Sequence, residues 1–408
     1  MRRPADGRCA DGDWLAVTGL GLRLAGVTRP EALGRRFGAA EPPPPVRHRY
    51  DAPGTDLAPV EWRVTAPVEP DLPASVPARG LRALPHESRL ALAAAVSAEE
   101  QTTRPVRGQA AIPAGRQADG PPPAPPGAGP EATAIASGPA AVLWASSTSG
   151  LAEYGTVCVE AATLEPGLCN PTLGPASSFN GPAATVSIRL GLDGPNETVT
   201  GGPTAGLSAL VEAGRLVADG AAVRALVGGS ATVSRWSLAA HSGHLVAAEG
   251  AGCLAVRPWR DVEPGVRLGR FHRTGLAAGD LVNQARDLVR GAVVPDGPVP
   301  GPLVVSTPDV ELVEALAKDH PQPVWHLERV LGDFGAAGGL IAVTCAVAHC
   351  LNSPSPTALL VLAVEPCGNA AIMEVSSWGA STLSSGCSAD NSHSDGASGR
   401  RTSTRAVS

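Results

Sequence analysis

Apolar residues along this chain come in short dense runs broken by glycine and proline, and the period within each run assigns an element to it. Trp14 to Leu24, WLAVTGLGLRL, is a β-rich run ending in glycines and predicts a buried first strand. Pro30 to Phe37 reads as a short helical stretch. From Glu41 to Pro77 proline recurs without an apolar period, which predicts an extended surface wrap, whereas Glu87 to Glu100, ESRLALAAAVSAEE, has helical composition and spacing. Residues 103–139 contain PPPAPPGAGP and lack the apolar surface to offset their ordering entropy, so a flexible insertion is expected there. Ala140 to Ala145, AAVLWA, predicts a buried strand, followed by a glycine turn and a helix around Tyr154 to Leu164. Gly181 to Leu190 has helical spacing, and GLDGPNE after it reads as a turn. Pro203 to Gly220, PTAGLSALVEAGRLVADG, is small or apolar on most faces and predicts a helix buried on nearly all sides, stopped by Gly220. Ala222 to Gly229 and Gly250 to Val256 then read as strands.

The second half repeats this alternation more weakly. Leu303 to Ser306 predicts a strand, Val310 to Lys318 a helix, Pro323 to His326 a strand and Gly335 to Ala348 a long small-residue helix. Two apolar strands follow, Thr357 to Val364 and Ala370 to Val375. Repeated alternation of this kind implies a layered α/β fold with helices held between sheets. The expected organisation is a loose N-terminus over 1–13, a first half over 14–260 carrying the insert, a second half over 261–376 and a disordered polar tail over 377–408.

Composition narrows the class. Aromatic residues are only 3 %, so the core must rest on Ala, Val and Leu. A net charge of -6, with Lys318 the only lysine, supplies no electrostatic footprint for nucleic acid. The eight cysteines show neither C-x-x-C pairing nor regular spacing, which argues against a zinc knuckle or a disulfide framework and for a reducing cytoplasm. Arg23 interrupts the N-terminal apolar run, and no uninterrupted run reaches the length of a membrane helix, so a soluble protein is expected. His241 and His244, an H-x-x-H pair in HSGHLVAAEG, lack a third ligand nearby, and neither a metal nor a cofactor is expected.

Several separate strings agree in order. They are AVTGLG at Ala16 to Gly21, Asn170 and Pro171 with Asn180, GPNET at Gly194 to Thr198, AGLSAL at Ala205 to Leu210, Gly228 with Gly229, AEGAG at Ala248 to Gly252, and GAAG at Gly335 to Gly338. As a set they resemble the β-ketoacyl synthase family of the thiolase fold, over roughly residues 14–376 apart from the insert. The resemblance implies an α-β-α-β-α layering of two pseudo-repeated halves. It also implies the chemistry of a condensing enzyme: a thiolate at the N-terminus of a buried helix, backbone donors for an oxyanion, and two imidazoles.

Carried onto this sequence, that pattern is broken at each chemical position. The nucleophilic cysteine lies three residues before the glycine that here is Gly206, which puts Pro203 in the slot. Proline has no nucleophile and no N–H, so the thiol and one oxyanion donor vanish together, while proline at a helix start remains structurally comfortable. The loop of the first family histidine reads STPDVE, Ser306 to Glu311. Asp333, after Gly332, takes the place of the second histidine, in a register one residue short, and Glu328 that of the family lysine. Thr204 and Ser208 are the neighbouring hydroxyls, without a positioned base, and hydroxyls buried in helices commonly bond back to the backbone. His326 reads as a structural histidine that a shifted register would bring toward the old site. Cys169, Cys253, Cys345 and Cys350 read as small buried hydrophobes. The segment between the strand ending in Gly228 and Gly229 and AEGAG is shortened to Ser230 to Ala247, where the family carries part of its substrate entrance.

These departures point to a catalytically silent ketosynthase-like subunit, similar to the chain-length factors of type II polyketide synthases. The partners so implied are an active ketosynthase, docked on the segment around Asn170 to Leu190 as a heterodimer, and an acyl carrier protein, with no role for nucleic acid or a membrane. The alternatives are an acyltransferase of the same fold with an atypical nucleophile, and a decayed homologue.

Overall fold

The computed structural model describes residues 15–27, 32–33, 36–37, 44–50, 59–103, 138–239, 245–259, 265–292 and 300–378. In chain order the principal elements are β1 (Leu15–Leu24), β2 (Val46–Tyr50), β3 (Val60–Val64), α1 (His86–Thr103), β4 (Ala140–Ala145), α2 (Leu151–Thr163), α3 (Gly181–Leu190), β5 (Asn196–Val199), α4 (Thr204–Ala218), β6 (Arg224–Ala231) and β7 (Gly250–Pro258). The second half continues with β8 (Gly265–Gly275), α5 (Leu281–Ala292), β9 (Pro300–Ser306), α6 (Val310–Asp319), β10 (Val324–His326), α7 (Leu327–Leu331), α8 (Gly338–Asn352), β11 (Ala358–Val364) and β12 (Asn369–Trp378).

Ten strands pair in the order β10-β9-β11-β12-β8-β1-β7-β6-β4-β5. Read inward from either edge the pattern is the same. β5, β4 and β6 are parallel, then β7 and β1 antiparallel, while β10, β9 and β11 are parallel, then β12 and β8 antiparallel. The halves are therefore pseudo-repeats, and among the described residues their strands pair with one another where Leu15 to Val17 meet Val266 to Leu268. Helices α4 and α8 each touch strands of both halves, so they form the middle layer. Helices α1 and α3 pack with Val142, Trp144 and Leu226 on the outside of the first half. Ala285 and Val289 of α5, with Leu312, Val313 and Leu316 of α6, cover Val305, Leu362 and Ile372 on the outside of the second. This is the five-layer α-β-α-β-α arrangement expected.

The middle layer follows from composition. In GGLIAVTCAVAHCLN apolar side chains fall on every face, so helix α8 is buried all round, from Gly338 through Ala348. Each of its fully buried Leu, Ile or Val side chains contributes about 1.5–3 kcal/mol of transfer free energy. With its 3-10 lead-in the segment Gly335–Asn352 is also long and apolar enough to cross a membrane, but 78 % of it is buried inside the fold. It crosses α4 at bare backbone. A Cβ on Gly206 would lie 2.3 Å from the Leu340 nitrogen, and one on Gly339 would lie 2.1 Å from the Pro203 carbonyl oxygen. Only glycine permits that approach.

The structure corrects four expectations. The stretch from Glu41 to Pro77 contains a two-stranded ribbon, β2 with β3, because Tyr50, Trp62 and Val64 pack on Leu238 and Ala247. β12 runs through Ser377 and Trp378, so 377–408 is not wholly a tail: those residues pair with Val266 and Gly265, and Arg267 Nε donates to Ser376 Oγ at 3.0 Å. Helix α4 is buried on most faces only in its first half, and beyond Leu210 only Ala213 and Leu216 remain buried. Its last turns emerge, with exposed Arg215 bridged to Glu212 and Asp219. GLDGPNE runs directly into an edge strand, β5, because residues 196–199 pair with β4. β8 and α5 are further elements that the pattern did not single out. Residues 1–13, most of 103–139 and His241 with His244 lie outside the described residues.

Overpacking of this crossing sets an expected outcome. Gly339→Ala lowers the urea midpoint by the equivalent of about 1–3 kcal/mol or more, because its neighbour is backbone that cannot yield. Gly174→Ala, with no atom within 4 Å of the added Cβ, serves as the control and changes stability by less than about 0.5 kcal/mol.

Candidate functional site

The residues that the sequence pattern singled out, Pro203, Ser306, Glu328 and Asp333, lie about the N-termini of the two central helices. Pro203 stands immediately before α4, at φ -54 and ψ -25, buried, with its carbonyl against Gly339. Ala205 packs with Ala145 at the end of β4 and with Ala336 just ahead of α8. Ser306, the last residue of β9, and Glu328 in α7 both face Gly338, the first residue of α8, where a Cβ would lie 2.6 Å and 3.2 Å from their oxygens. The structure thus brings Pro203, Ser306, Glu328 and Asp333 around the same pair of helix starts.

Their contacts are chiefly internal. Ser306 Oγ donates to Glu328 Oε1 at 2.6 Å, and His326 Nε2 lies 3.4 Å from Glu328 Oε2 and 2.8 Å from the Thr307 carbonyl. Glu328 is 2 % exposed and His326 5 % exposed, so the pair is withheld from water. Burial pushes the Glu328 carboxyl up; His326 and the Ser306 hydroxyl pull it down, the Asp333 charge pushes it up further, and the net shift is upward. For His326 burial acts downward, but the hydrogen bond and charge of Glu328 and the Thr307 carbonyl outweigh it. Since the charge of Glu328 raises His326 only while Glu328 is ionised, the two groups titrate together. Asp333 Oδ1 accepts from the Gly335 amide at 2.8 Å, and its backbone pairs with Val246 and Ala248. Its role in the fold is to close the turn that leads into α8.

The neighbouring hydroxyls divide. Ser208 Oγ donates to the Thr204 carbonyl at 3.0 Å, the back-bond expected of it. Thr204 instead donates across to Glu365 Oε1, on the turn between β11 and β12. That turn was not legible as part of the site. It also carries Cys367, exposed, whose Sγ is 3.3 Å from Glu365 Oε2, and Asn369, whose Nδ2 donates to the same oxygen at 2.9 Å. Burial acts to raise Glu365, but donation from Thr204, Asn369, Cys367 and the Gly202 amide holds it below the ordinary carboxylate value.

A second buried acid was also missed. Glu87, fully withdrawn from water, accepts from Ser146 at 2.5 Å, Thr148 at 2.8 Å, Ser230 at 2.9 Å and Thr232 at 3.1 Å. Burial pushes its carboxyl up, and four hydroxyl donors do not overcome that. It fastens α1 to the ends of β4 and β6. The sequence signal was a lone acid heading an apolar helix, which says nothing of the hydroxyls that meet it.

Cys253, Cys345 and Cys350 are buried as expected; burial pushes all three thiols up, Cys350 to about 12. Cys169 departs from expectation and is only half-buried, because it lies in the surface stretch after α2. Among the described residues no group of three His, Cys, Asp or Glu side chains is placed to hold a metal ion.

A proton held by the Glu328 and His326 pair makes stability fall as pH rises, since the folded state binds more protons than the unfolded chain. For Glu328 the contribution is complete below its unfolded value of 4.5 and is lost as pH climbs through the raised folded one. Glu328→Gln cannot ionise and is spared that loss. Its urea midpoint, measured against the parent from about pH 5 to about pH 8, shifts progressively in favour of the variant.

Comparison with known proteins agrees with this geometry. Residues 127–268 match the family described as beta-ketoacyl synthase, N-terminal domain. No curated protein matches the chain in sequence. Among solved structures, the ishigamide ketosynthase/chain length factor superposes with a TM-score of 0.64 at 22 % identity, covering 90 % of this chain and 99 % of that one. A beta-ketoacyl synthase from Burkholderia phymatum STM815 gives 0.63 at 14 % identity, with 90 % and 99 % covered. A type II polyketide synthase acyl-carrier protein in complex with its ketosynthase bound to the hexaketide gives 0.59 at 12 % identity, with 90 % and 100 % covered. At these identities the likenesses show a thiolase-like fold, and the match to the beta-ketoacyl synthase N-terminal domain is carried by residues 127–268 of the chain.

Proposed function

We propose that the chain is a chemically silent ketosynthase-like subunit, of the chain-length-factor kind, that pairs with an active ketosynthase in polyketide chain assembly. The observation that carries the reading is Pro203 at the head of the buried helix α4, where bond formation would begin. Without a side-chain nucleophile or an amide hydrogen, that position offers neither attack nor an oxyanion donor. Ser306, Asp333 and Glu328 around it support the same reading, since two imidazoles and a lysine are what the family pattern puts there. His326 is turned to Thr307 and Glu328.

Pairing is supported by where apolar surface remains uncovered. Of the seven large hydrophobic residues exposed among the described residues, Tyr154, Leu164, Leu168, Phe179 and Ile188 fall between α2 and the end of α3. Beside them β5 is the outer strand of the sheet, with one side unpaired among the described residues. Exposed apolar side chains gathered beside an open sheet edge mark a surface that is covered in the working state. One structural neighbour is a ketosynthase/chain length factor and another a ketosynthase with its acyl-carrier protein, which supports those two kinds of partner here.

One observation favours a second reading, an acyltransferase with an atypical nucleophile: the Cys367 thiol lies one carboxylate away from Thr204 at the helix head. Incubation of the full chain with an acyl thioester, followed by intact and peptide mass, separates the two. The silent reading expects no stoichiometric adduct; one at Cys367 establishes the second.

For the pairing face, Ile188→Glu, at 77 % exposure, leaves the fold intact and abolishes copurification with a co-expressed ketosynthase. Undiminished copurification and an unchanged elution volume would overturn that face.

A further inference from the structure

The turn between β11 and β12 is a short one. Gly368 N donates to the Glu365 carbonyl at 2.9 Å, Glu365 N donates to the Asn369 carbonyl at 2.8 Å, and Leu276 N pins the Gly368 carbonyl at 2.7 Å. A turn held this way presents its first side chain in a set direction, and that side chain is Glu365. It reaches the head of α4, where Thr204 donates to its Oε1 and Asn369 holds the other oxygen. It also rests on backbone: a Cβ on Gly202 would lie 2.8 Å from Glu365 Cγ, 3.1 Å from Cδ and 3.3 Å from Oε1. The donors at the start of a buried helix favour negative charge. Here the charge comes from the chain itself, a separate strand connection 161 residues away in sequence.

We propose that Glu365 is a built-in stopper, a carboxylate that occupies the head of helix α4 and keeps the carbonyl oxygen of an acyl thioester from the donors there. The inference rests on the silent-subunit reading and deepens it. Replacement of the nucleophile leaves a helix start still able to attract an acyl carbonyl or a free carboxylate; Glu365 satisfies that start internally. The chain would then pass an intermediate to its partner without holding it. Thr204, reported above as a hydroxyl without a base, is in this arrangement one of the stopper's seats, and Gly202 is glycine because the stopper lies against it.

The test is a double-mutant cycle on the full-length chain, with Gly202→Ala, Glu365→Ala and the two together, read as urea unfolding. If Glu365 fills this space, Gly202→Ala is costly in the parent and nearly free once the Glu365 side chain is gone, a coupling of about tenfold or more in the unfolding constant. Additive effects overturn the stopper. A second readout uses acetate against chloride at equal ionic strength. Glu365→Ala gains a melting temperature increment specific to acetate that the parent lacks, or, where the variant does not fold in chloride, acetate restores folding. Absence of any acetate-specific effect overturns the proposal. The acyl-thioester incubation keeps the two ideas apart: an adduct on the parent chain sinks the silent reading whatever the cycle gives, whereas an inert chain with additive mutations sinks only the stopper.

Discussion

The backbone contact between helices α4 and α8 is the constraint on which the rest of the molecule depends. Two helices pass so closely at Gly206 and Gly339 that no side chain fits between them, and each then meets strands from both halves of the sheet. Close approach trades side-chain volume for a large area of dispersion contact, and it is unforgiving, because backbone cannot rotate out of the way as a side chain can. The same crossing sets the starts of the two helices side by side. Whatever stands at residues 203 and 338 is therefore pressed together, reactive or not.

This separates architecture from chemistry. A helix start needs a residue that tolerates helical φ and lacks an obligatory partner for its N–H, and proline meets that need better than cysteine does. Pro203 thus fits the helix start without structural cost. Around it the polar residues have turned inward on one another: Ser306 to Glu328, Glu328 to His326, Asp333 to the Gly335 amide, Thr204 to Glu365. Buried polar atoms are costly unless paired, and these groups find most of their donors and acceptors within the chain.

Periodicity located the elements whose burial is uniform. β4 and α3 coincide with AAVLWA and GPAATVSIRL to the residue, because an all-apolar run and a helical stripe each admit a single reading. It passed over β8, GVRLGRFHRTG, in which arginines alternate imperfectly and Arg270 adopts φ 48 at an irregularity in the pairing with β12. It passed over β5 because four residues next to a glycine turn carry too little pattern, and over the β2 and β3 ribbon because its apolar side chains serve a small satellite cluster away from the main core.

The sequence by itself determined the class of fold, the order of its two halves and the residue at the head of the central helix. Those depend on local period, on glycine spacing and on the identity of one side chain, all of which are properties of neighbours along the chain. Only the tertiary structure decided that Glu365 meets Thr204, that four hydroxyls surround Glu87, and that apolar residues of α2 and α3 stay uncovered beside an open strand. Each of these joins residues remote in sequence, and a hydrogen bond between a turn and a distant helix start leaves no periodic trace in either.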